Sequence, residues 1–196
     1  MLRTFLAIDL PDGMHKVLVA CQDTLKKDLP SLKWVQPQAM HLTLKFLGDI
    51  HEDQVDLLRQ VTEKAFARWP CFSVKIQGLG LFPNLRHPRV LWVGVTDDAG
   101  RVADVAELTD SCLQTIGVPR EAKAYTPHLT LARIKEYGRE VGSSLTKQGH
   151  LAAPWIMGLL PVRHICLFQS ERRSSGSVYT KLWDIPLAPS KHENSL

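Results

Sequence analysis

The chain has 196 residues, of which 44% are hydrophobic, a size and composition that suit one globular domain with a substantial core. There is no apolar run of about 18 residues, and Asp9 and Pro11 interrupt the short apolar opening, so neither a membrane span nor a secretory signal is expected. A cytoplasmic location is predicted. The net charge of +4 mildly favours an anionic partner, but without a polybasic run it does not indicate a dedicated duplex-DNA binder.

The first part of the chain alternates between strand and helix patterns. Residues 3–10 alternate and are β-compatible, and a helical spacing of apolar residues follows them. Residues 32–35 and 41–47 are predicted to be strands. Glu52 and Asp53 then favour the start of a second helix, because acidic side chains stabilise a helix N-terminus.

The same pattern begins again from residue 72. Residues 89–95 are apolar on both faces, as in a buried strand, and residues 102–116 carry a helical apolar stripe that Gly117 closes. The glycines of residues 78–84 match neither a dinucleotide-binding nor a P-loop pattern, and they are interpreted as shaping a strand exit.

The last part contains a strand at 125–134, a weaker helix within 139–148 and a hairpin whose strands flank the turn-rich SSG sequence. Residues 1–188 are predicted to form a single two-lobed domain, followed by a mobile tail at 189–196. The four cysteines have no C-x-x-C spacing and are predicted to be buried thiols rather than disulfides or zinc ligands: Cys21, Cys71, Cys112 and Cys166.

The tetrapeptide His-Leu-Thr-Leu occurs twice, at 41–44 and at 128–131, both times within a predicted strand. Side chains alternate along a strand, so the leucines face one way while histidine and threonine face the other. Burying an imidazole or a hydroxyl without a partner costs about 1–3 kcal/mol. Two such pairs are therefore expected to line a water-filled cleft between two similar α+β lobes related by approximate twofold symmetry.

Two histidines across a cleft suit concerted acid and base catalysis, because an ordinary imidazole pKa near about 6.5 allows one ring to be neutral and the other protonated. Each histidine taken alone is equally compatible with a satisfied core or edge residue. Metal binding fits less well, since zinc needs about three protein ligands and neither motif has a neighbouring histidine or carboxylate. Serine nucleophile chemistry lacks its G-x-S-x-G signature.

The motifs "HLTLKFLG" and "PHLTLAR", together with "RTFLAIDLP", "PRVLWVGV" and "LFQSERRSSGSVYTKL", resemble the two-histidine phosphoesterase superfamily, and within it the RNA 2′,3′-cyclic phosphodiesterase and 2′-5′ RNA ligase family. The resemblance implies an α+β fold in which two antiparallel or mixed sheets form a bilobal, pseudo-twofold arrangement, with helices outside and a central cleft. It also implies that no metal or nucleotide cofactor is needed.

The resemblance assigns His41 as the general acid toward O3′ and His128 as the general base for water, an order that the symmetry of the motifs does not fix. Thr43 and Thr130 are expected to donate hydrogen bonds to the nonbridging phosphate oxygens. These four residues form the predicted catalytic and phosphate-binding set.

Three further residues are predicted to contact substrate. By strand parity Lys45 shares the face of His41 and Thr43, although a solvated strand-end lysine fits equally well. Arg133 matches a substrate-contacting arginine of the family, but parity places it opposite His128 unless the strand twists or ends there. Phe5 matches an aromatic that could stack a nucleobase, and it could equally be a core residue.

The leading hypothesis is an enzyme that opens 2′,3′-cyclic phosphate ends of RNA to 2′-phosphates, with weak 2′-5′ ligation in reverse. The alternatives are the same chemistry on another cyclic phosphate or a 2′-5′ oligonucleotide, and a non-catalytic RNA-end binding module. The expected partners are RNA ends or small cyclic-phosphate nucleotides. A monomer without membrane association or an obligatory protein partner is expected.

Overall fold

The computed structural model describes residues 1–173 and 176–190, and within them nine strands and four α-helices are present. The strands are β1 (Leu2–Ile8), β2 (Lys33–Trp34), β3 (Leu42–Ile50), β4 (Phe72–Phe82), β5 (Val90–Thr96), β6 (His128–Arg133), β7 (Ile156–Val162), β8 (His164–Arg173) and β9 (Gly176–Pro186). The helices are α1 (Asp12–Lys26), α2 (Gln54–Phe66), α3 (Arg101–Gln114) and α4 (Gly138–Lys147), and a short 3₁₀ helix spans Pro37–Ala39.

The strands form two antiparallel sheets. The first has the order β3, β1, β8, β9, and the second has the order β2, β6, β5, β4, β7. Of the two strands that contain the repeated motif, β3 is the edge strand of the first sheet, next to β1, and β6 lies between β2 and β5 of the second. This arrangement confirms the predicted α+β fold built on two sheets.

The two sheets are interleaved along the chain, and each takes strands from both halves of the sequence. Helix α1 follows β1 but packs against β7 of the second sheet, whereas α3 follows β5 but packs against β3 of the first. The C-terminal hairpin of β8 and β9 returns to the first sheet. The physical reason is that β1 is a central strand, and both of its edges need a hydrogen-bonded neighbour.

The leucines of the two motifs anchor their strands in the core, as predicted. Leu42, Leu129 and Leu131 are fully buried, and Leu44 is 6% exposed. Burying a leucine side chain contributes about 1.5–3 kcal/mol, so these residues hold the opposite, polar side of each strand in a fixed orientation.

Three local predictions are corrected. Strand β7 was not predicted, because Gly158 and Pro161 disrupt its pattern, and proline is tolerated here since β7 is an edge strand. The glycines expected at a strand exit lie inside β4, where Gly78 forms a bulge at φ 71°. The motif strand β6 begins at His128 rather than at residue 125.

The predicted hairpin is formed by β8 and β9, whose pairing runs from His164 opposite Pro186 to Arg173 opposite Gly176. Residues 174 and 175 of the predicted SSG turn and residues 191–196 of the predicted mobile tail lie outside the described residues. None of the four cysteines, all of which lie within the described residues, forms a disulfide. Among the described residues, no helix is both long and apolar enough to cross a membrane.

Candidate active site

The two repeated motifs line a single cavity of about 470 Å³. His41 and Thr43 reach it from the first sheet, and His128 and Thr130 reach it from the second. The predicted meeting of the two polar pairs is therefore observed. The remaining lining residues are Lys33, Trp34, Val35, Gln36, Ala39, Met40, Phe46, Val90, Arg133, Gly176, Ser177 and Tyr179.

A one-residue bulge interrupts each motif strand just after its threonine. In β3 the pairing with β1 skips Leu44, and in β6 the pairing with β5 skips Leu131. A bulge adds one residue to one strand, so the alternation of faces is reversed beyond it. As a result the residue five positions after each histidine faces the cavity, namely Phe46 after His41 and Arg133 after His128.

The bulges determine which way Arg133 and Lys45 face, the two residues whose predicted positions depended on strand alternation. Arg133 lines the cavity, in agreement with the family resemblance and against simple alternation. Lys45 does not share the face of His41, and that prediction is wrong. The bulge at Leu44 turns its side chain toward α3, where it is 5% exposed, forms an ion pair with Asp110 and donates a hydrogen bond of 2.7 Å to the Pro119 carbonyl.

Phe5 lies beneath the site rather than in it. Its side chain is 2% exposed, and its ring stacks on the imidazole of His41 with the centroids 4.5 Å apart. This position leaves no free face for a nucleobase, so the core reading of Phe5 is the correct one. Phe46, 66% exposed and 5.8 Å from the Phe5 ring, presents an aromatic face to the cavity instead.

His128 is held in a defined tautomer by the backbone. Its Nδ1 lies 2.7 Å from the carbonyl oxygen of Thr126, and a carbonyl can only accept a hydrogen bond. Nδ1 therefore carries the hydrogen, and in the neutral ring Nε2 has a free lone pair. The ring of Phe82 meets the imidazole edge to face at 4.8 Å and restricts its rotation.

His41 is surrounded more tightly. Burial lowers its pKa to about 4, an effect that a hydrogen bond with the backbone of Ala39 and the charge of Asp9 partly oppose, while His128 and Arg133 add to it. Phe5 stacks on the imidazole, and Tyr179 also packs edge-on against it with the ring centroids 5.0 Å apart. Burial therefore favours the neutral form of the His41 imidazole at pH 7.

Comparison with known proteins identifies relatives of this chain. Residues 8–92 match the family model described as LigT like phosphoesterase. The chain is 36% identical to the RNA 2′,3′-cyclic phosphodiesterase of Aquifex aeolicus over 76% of this chain and 78% of that protein. It is 32% identical to the protein of the same name from Methanothermobacter thermautotrophicus, over 92% of this chain and 96% of that one. The chain belongs to the RNA 2′,3′-cyclic phosphodiesterase family.

Solved structures agree with this membership at the level of the fold. A crystal structure of a Thermus thermophilus protein superposes with a TM-score of 0.79 at 28% identity and covers 94% of this chain and 97% of that one. The crystal structure of Escherichia coli LigT complexed with 3′-AMP gives a TM-score of 0.74 at 22% identity, over 95% and 98% of the two chains. The two-sheet architecture is thus shared by the LigT-like phosphoesterases.

In this member of the cyclic phosphodiesterase family, Tyr125 links the two motifs directly. It lies three residues before His128, and its hydroxyl donates a 2.8 Å hydrogen bond to the carbonyl oxygen of Thr43. Burial raises the pKa of this phenol, which keeps it protonated and therefore a donor. The bond sets the position of the second motif relative to the first.

Strand β9 contributes residues that the sequence reasoning missed. Gly176, Ser177 and Tyr179 line the cavity, although β9 is remote in sequence from both motifs. The alternation of Ser177 and Tyr179 indicated that they share a face. Whether this face points toward the cavity depends on the pairing of β8 with β1, for which the sequence carries no local signal.

Proposed function

We propose that the protein hydrolyses 2′,3′-cyclic phosphate ends of RNA to 2′-phosphates by paired-histidine acid–base catalysis, without a metal or nucleotide cofactor. The observation that supports this most directly is that two His-x-Thr pairs, one from each sheet, line one cavity. Relatives at 36% and 32% identity are named for this reaction. The protein is accordingly a phosphodiesterase, and its residues suggest how it works.

His128 is the proposed general base. The bond from Nδ1 to the Thr126 carbonyl leaves Nε2 to accept a proton from water as the water attacks phosphorus. A positioned base of this kind accelerates a reaction by about 10²–10⁴-fold. The backbone contact supports this assignment, because it keeps the lone pair on the nitrogen that is free to meet the substrate.

His41 is the proposed general acid toward the departing O3′. It needs a proton that burial disfavours, since burial lowers its pKa to about 4. A phosphodiester anion next to the imidazole favours the protonated ring and also offsets the positive charge of Arg133. We therefore propose that His41 acquires its proton when the substrate binds.

The threonine hydroxyls and Arg133 are proposed to stabilise the phosphorane-like transition state. Thr43 and Thr130 lie on the cavity face of their strands, where they can donate hydrogen bonds to the two nonbridging oxygens. The guanidinium of Arg133 supplies a fixed positive charge to the same oxygens. Charge on these oxygens grows during in-line attack, so such contacts act selectively on the transition state.

Phe46 takes over the base-stacking role first considered for Phe5. Its exposed ring lies on the cavity side of β3, five residues after His41. Stacking of a base on an aromatic side chain contributes about 1–3 kcal/mol. With the base held at this wall, the sugar is proposed to place O3′ toward His41, which leaves the phosphate on O2′.

The same geometry supports two further parts of the proposal. A 5′-hydroxyl in place of water would attack phosphorus in the same ring-opening step, with the P–O3′ bond breaking as the P–O5′ bond forms, and would give a 2′-5′ linkage. One chain supplies both motifs, so a monomer contains a complete site and needs no protein partner. Four cysteines that form no disulfide are consistent with a reducing compartment such as the cytoplasm.

The proposal is tested by incubating the purified protein, in EDTA, with an RNA that ends in a 2′,3′-cyclic phosphate, with 2′,3′-cyclic AMP and with a 2′-5′ oligonucleotide. We expect both cyclic phosphates to be opened, with the 2′-phosphate as the sole product by chromatography against authentic standards. A dominant 3′-phosphate would contradict the seating argument. Activity that needs an added divalent ion would contradict the metal-free mechanism, and tight binding without turnover would favour the binding module.

A second prediction concerns the proton that His41 must acquire. Sulfate is a suitable probe because it does not titrate near neutral pH. Its binding should raise the pKa of His41 above the free value of about 4 and take up one proton. Affinity should then fall as pH rises from about 5 to 8, by up to about tenfold per unit, until the pKa of the complex is passed.

Calorimetry in buffers with different ionisation enthalpies measures this proton uptake directly. In the His41→Asn variant the part of the proton uptake that belongs to His41 should disappear, while a His128→Asn variant should retain that part. Sulfate affinity that is constant from pH 5 to 8 in the unmodified protein, with no proton uptake, would show that His41 is not the acid.

A further inference from the structure

We propose that RNA leaving the cleft follows a surface strip formed by Lys33, Arg133, Arg89, Lys135 and Tyr137, which we call the exit strip. The inference rests on the proposed function for its substrate, and it adds a binding surface outside the cavity. The strip would bind the nucleotides on the 5′ side of the cyclic phosphate. It predicts that the enzyme prefers an oligonucleotide to a cyclic mononucleotide.

The strip begins at the wall of the cavity. Arg133 and Lys33 are paired across β6 and β2, both are exposed, and both line the cavity. On the other side of β6, Arg133 pairs with Val90, and Arg89 immediately precedes that residue. Lys33 and Arg133 thus stand at the cavity wall on adjacent strands, and Arg89 lies just before the strand that pairs with β6 on its other side.

Backbone and side-chain hydrogen bonds fix the next part of the strip. The amide of Ile134 donates to the Arg89 carbonyl at 2.9 Å, which extends the ladder one residue beyond β6. The guanidinium of Arg89 donates to the Lys135 carbonyl at 3.0 Å. Arg89 and Lys135 are nevertheless exposed, so their positions are fixed while charge remains available to a ligand.

The strip ends at an aromatic ring that faces solvent. Tyr137 is 69% exposed and has a left-handed backbone with φ 53°, which a bulky residue seldom adopts. The next residue, Gly138, packs so closely on Pro88 that a Cβ there would come within 2.9 Å of the Pro88 carbonyl oxygen. The start of α4 is thus pressed against the loop before β5, and the tyrosine ring is held outward.

The chemistry of this surface matches single-stranded RNA. Residues 84–89 and 133–140 contribute five cations and two carboxylates, and all seven residues are exposed: Arg86, Arg89, Arg133, Lys135, Arg139, Glu136 and Glu140. Single-strand binding sites combine such cations with aromatic faces on which bases stack. Tyr137 lies four positions after Arg133, at most about 14 Å along the chain, so a short oligonucleotide spans the strip.

Steady-state kinetics on two substrates tests the proposal. One substrate is an RNA of about 12 nucleotides that ends in a 2′,3′-cyclic phosphate, and the other is 2′,3′-cyclic AMP. Tyr137→Asn removes the ring but suits the left-handed backbone, and it should lower kcat/KM for the RNA by about tenfold. Tyr137→Phe, which keeps the ring, should stay within about twofold of the unmodified enzyme.

The charge of the strip is tested through salt. Lys135→Ala should make the fall of log kcat/KM with log salt shallower by about 0.7 for the RNA, the value for one contact to a single strand. Lys64→Ala, on the exposed side of α2, is the matched control and should leave the slope unchanged. Neither change should affect turnover of the cyclic mononucleotide.

The outcomes separate this proposal from the proposed function. Equal losses on both substrates, or no loss on the RNA, would overturn the exit strip while leaving the cleft chemistry intact. If the unmodified protein opens neither substrate, the proposed function fails, and fluorescence anisotropy with the same RNA ending in a 3′-hydroxyl still tests the strip. Tighter RNA binding by the unmodified protein than by Tyr137→Asn would support it, and equal binding would contradict it.

Discussion

His128→Ala and His41→Ala should each lower kcat on an RNA cyclic phosphate by about 10²–10⁴-fold, because each removes one of the two proton transfers. The two residues act on the same step, so the double variant should have a kcat only slightly below that of the less active single variant. Single-turnover kinetics measures these losses free of product release. Near-normal turnover in either single variant would contradict the paired-histidine mechanism.

Folding controls are needed mainly for His41. Its ring lies between Phe5 and Tyr179, so removing it leaves an aromatic stack incomplete. His41→Gln keeps more of that volume and should lose as much activity as His41→Ala, since neither side chain can deliver a proton. His128 lies half-buried at the start of β6, so its removal should perturb packing less and allows a more direct comparison of activity.

The central part of the site was predictable because it depends on a simple regularity. His41 and Thr43, like His128 and Thr130, lie two positions apart before the bulge, where alternation still holds. Buried leucines between them fix which face points inward. The repeated polar pairs could therefore be assigned to one cleft without any knowledge of the long-range pairing.

Beyond the bulges, strand alternation predicted the wrong face, because each bulge adds one residue. Alternation placed Lys45 in the cleft and Arg133 opposite it, and each prediction was reversed by the extra residue at Leu44 or Leu131. In β6 the carbonyl of Leu131 accepts hydrogen bonds from the Gln22 side chain and the Val35 amide. These partners come from α1 and from the segment after β2, so the local sequence could not reveal them.

Burial was the other property that the sequence left open. Phe5 and Phe46 are both phenylalanines of strands in the first sheet, and they are 2% and 66% exposed. The difference arises because Phe5 is covered by His41, Phe168 and Tyr179, which come from distant parts of the chain. A pattern within one strand could not distinguish the core ring from the cavity ring.

Removal of Asp110 should cause a large loss of stability. Lys45 is 5% exposed, and the Asp110 carboxylate accepts hydrogen bonds from its ammonium group and, at 3.0 Å, from the amide of Glu121. Asp110→Ala leaves the ammonium buried without its counter-charge. This should lower the free energy of unfolding by about 3–5 kcal/mol, measured by urea denaturation at pH 7.

The exposed pair of Lys75 and Asp98 is the matched control. Its side chains are 56% and 81% exposed, and Asp98→Ala should change the free energy of unfolding by less than about 1 kcal/mol. A loss of similar size in both variants would mean that the Lys45 pair is not effectively desolvated.

A double exchange decides between the two roles considered for Lys45. In Lys45→Met with Asp110→Leu both charges are replaced by apolar side chains, and most of the stability lost in Asp110→Ala should return, because a well-packed apolar pair can replace a buried ion pair. If Lys45 only supports the segment that leads from Pro119 toward His128, the double variant should also hydrolyse RNA cyclic phosphates within about tenfold of the unmodified enzyme, the cost of losing about one hydrogen bond. If Lys45 contacts the substrate phosphate, the same variant should be stable and yet lose far more activity than this, and the placement of Lys45 outside the site would be refuted.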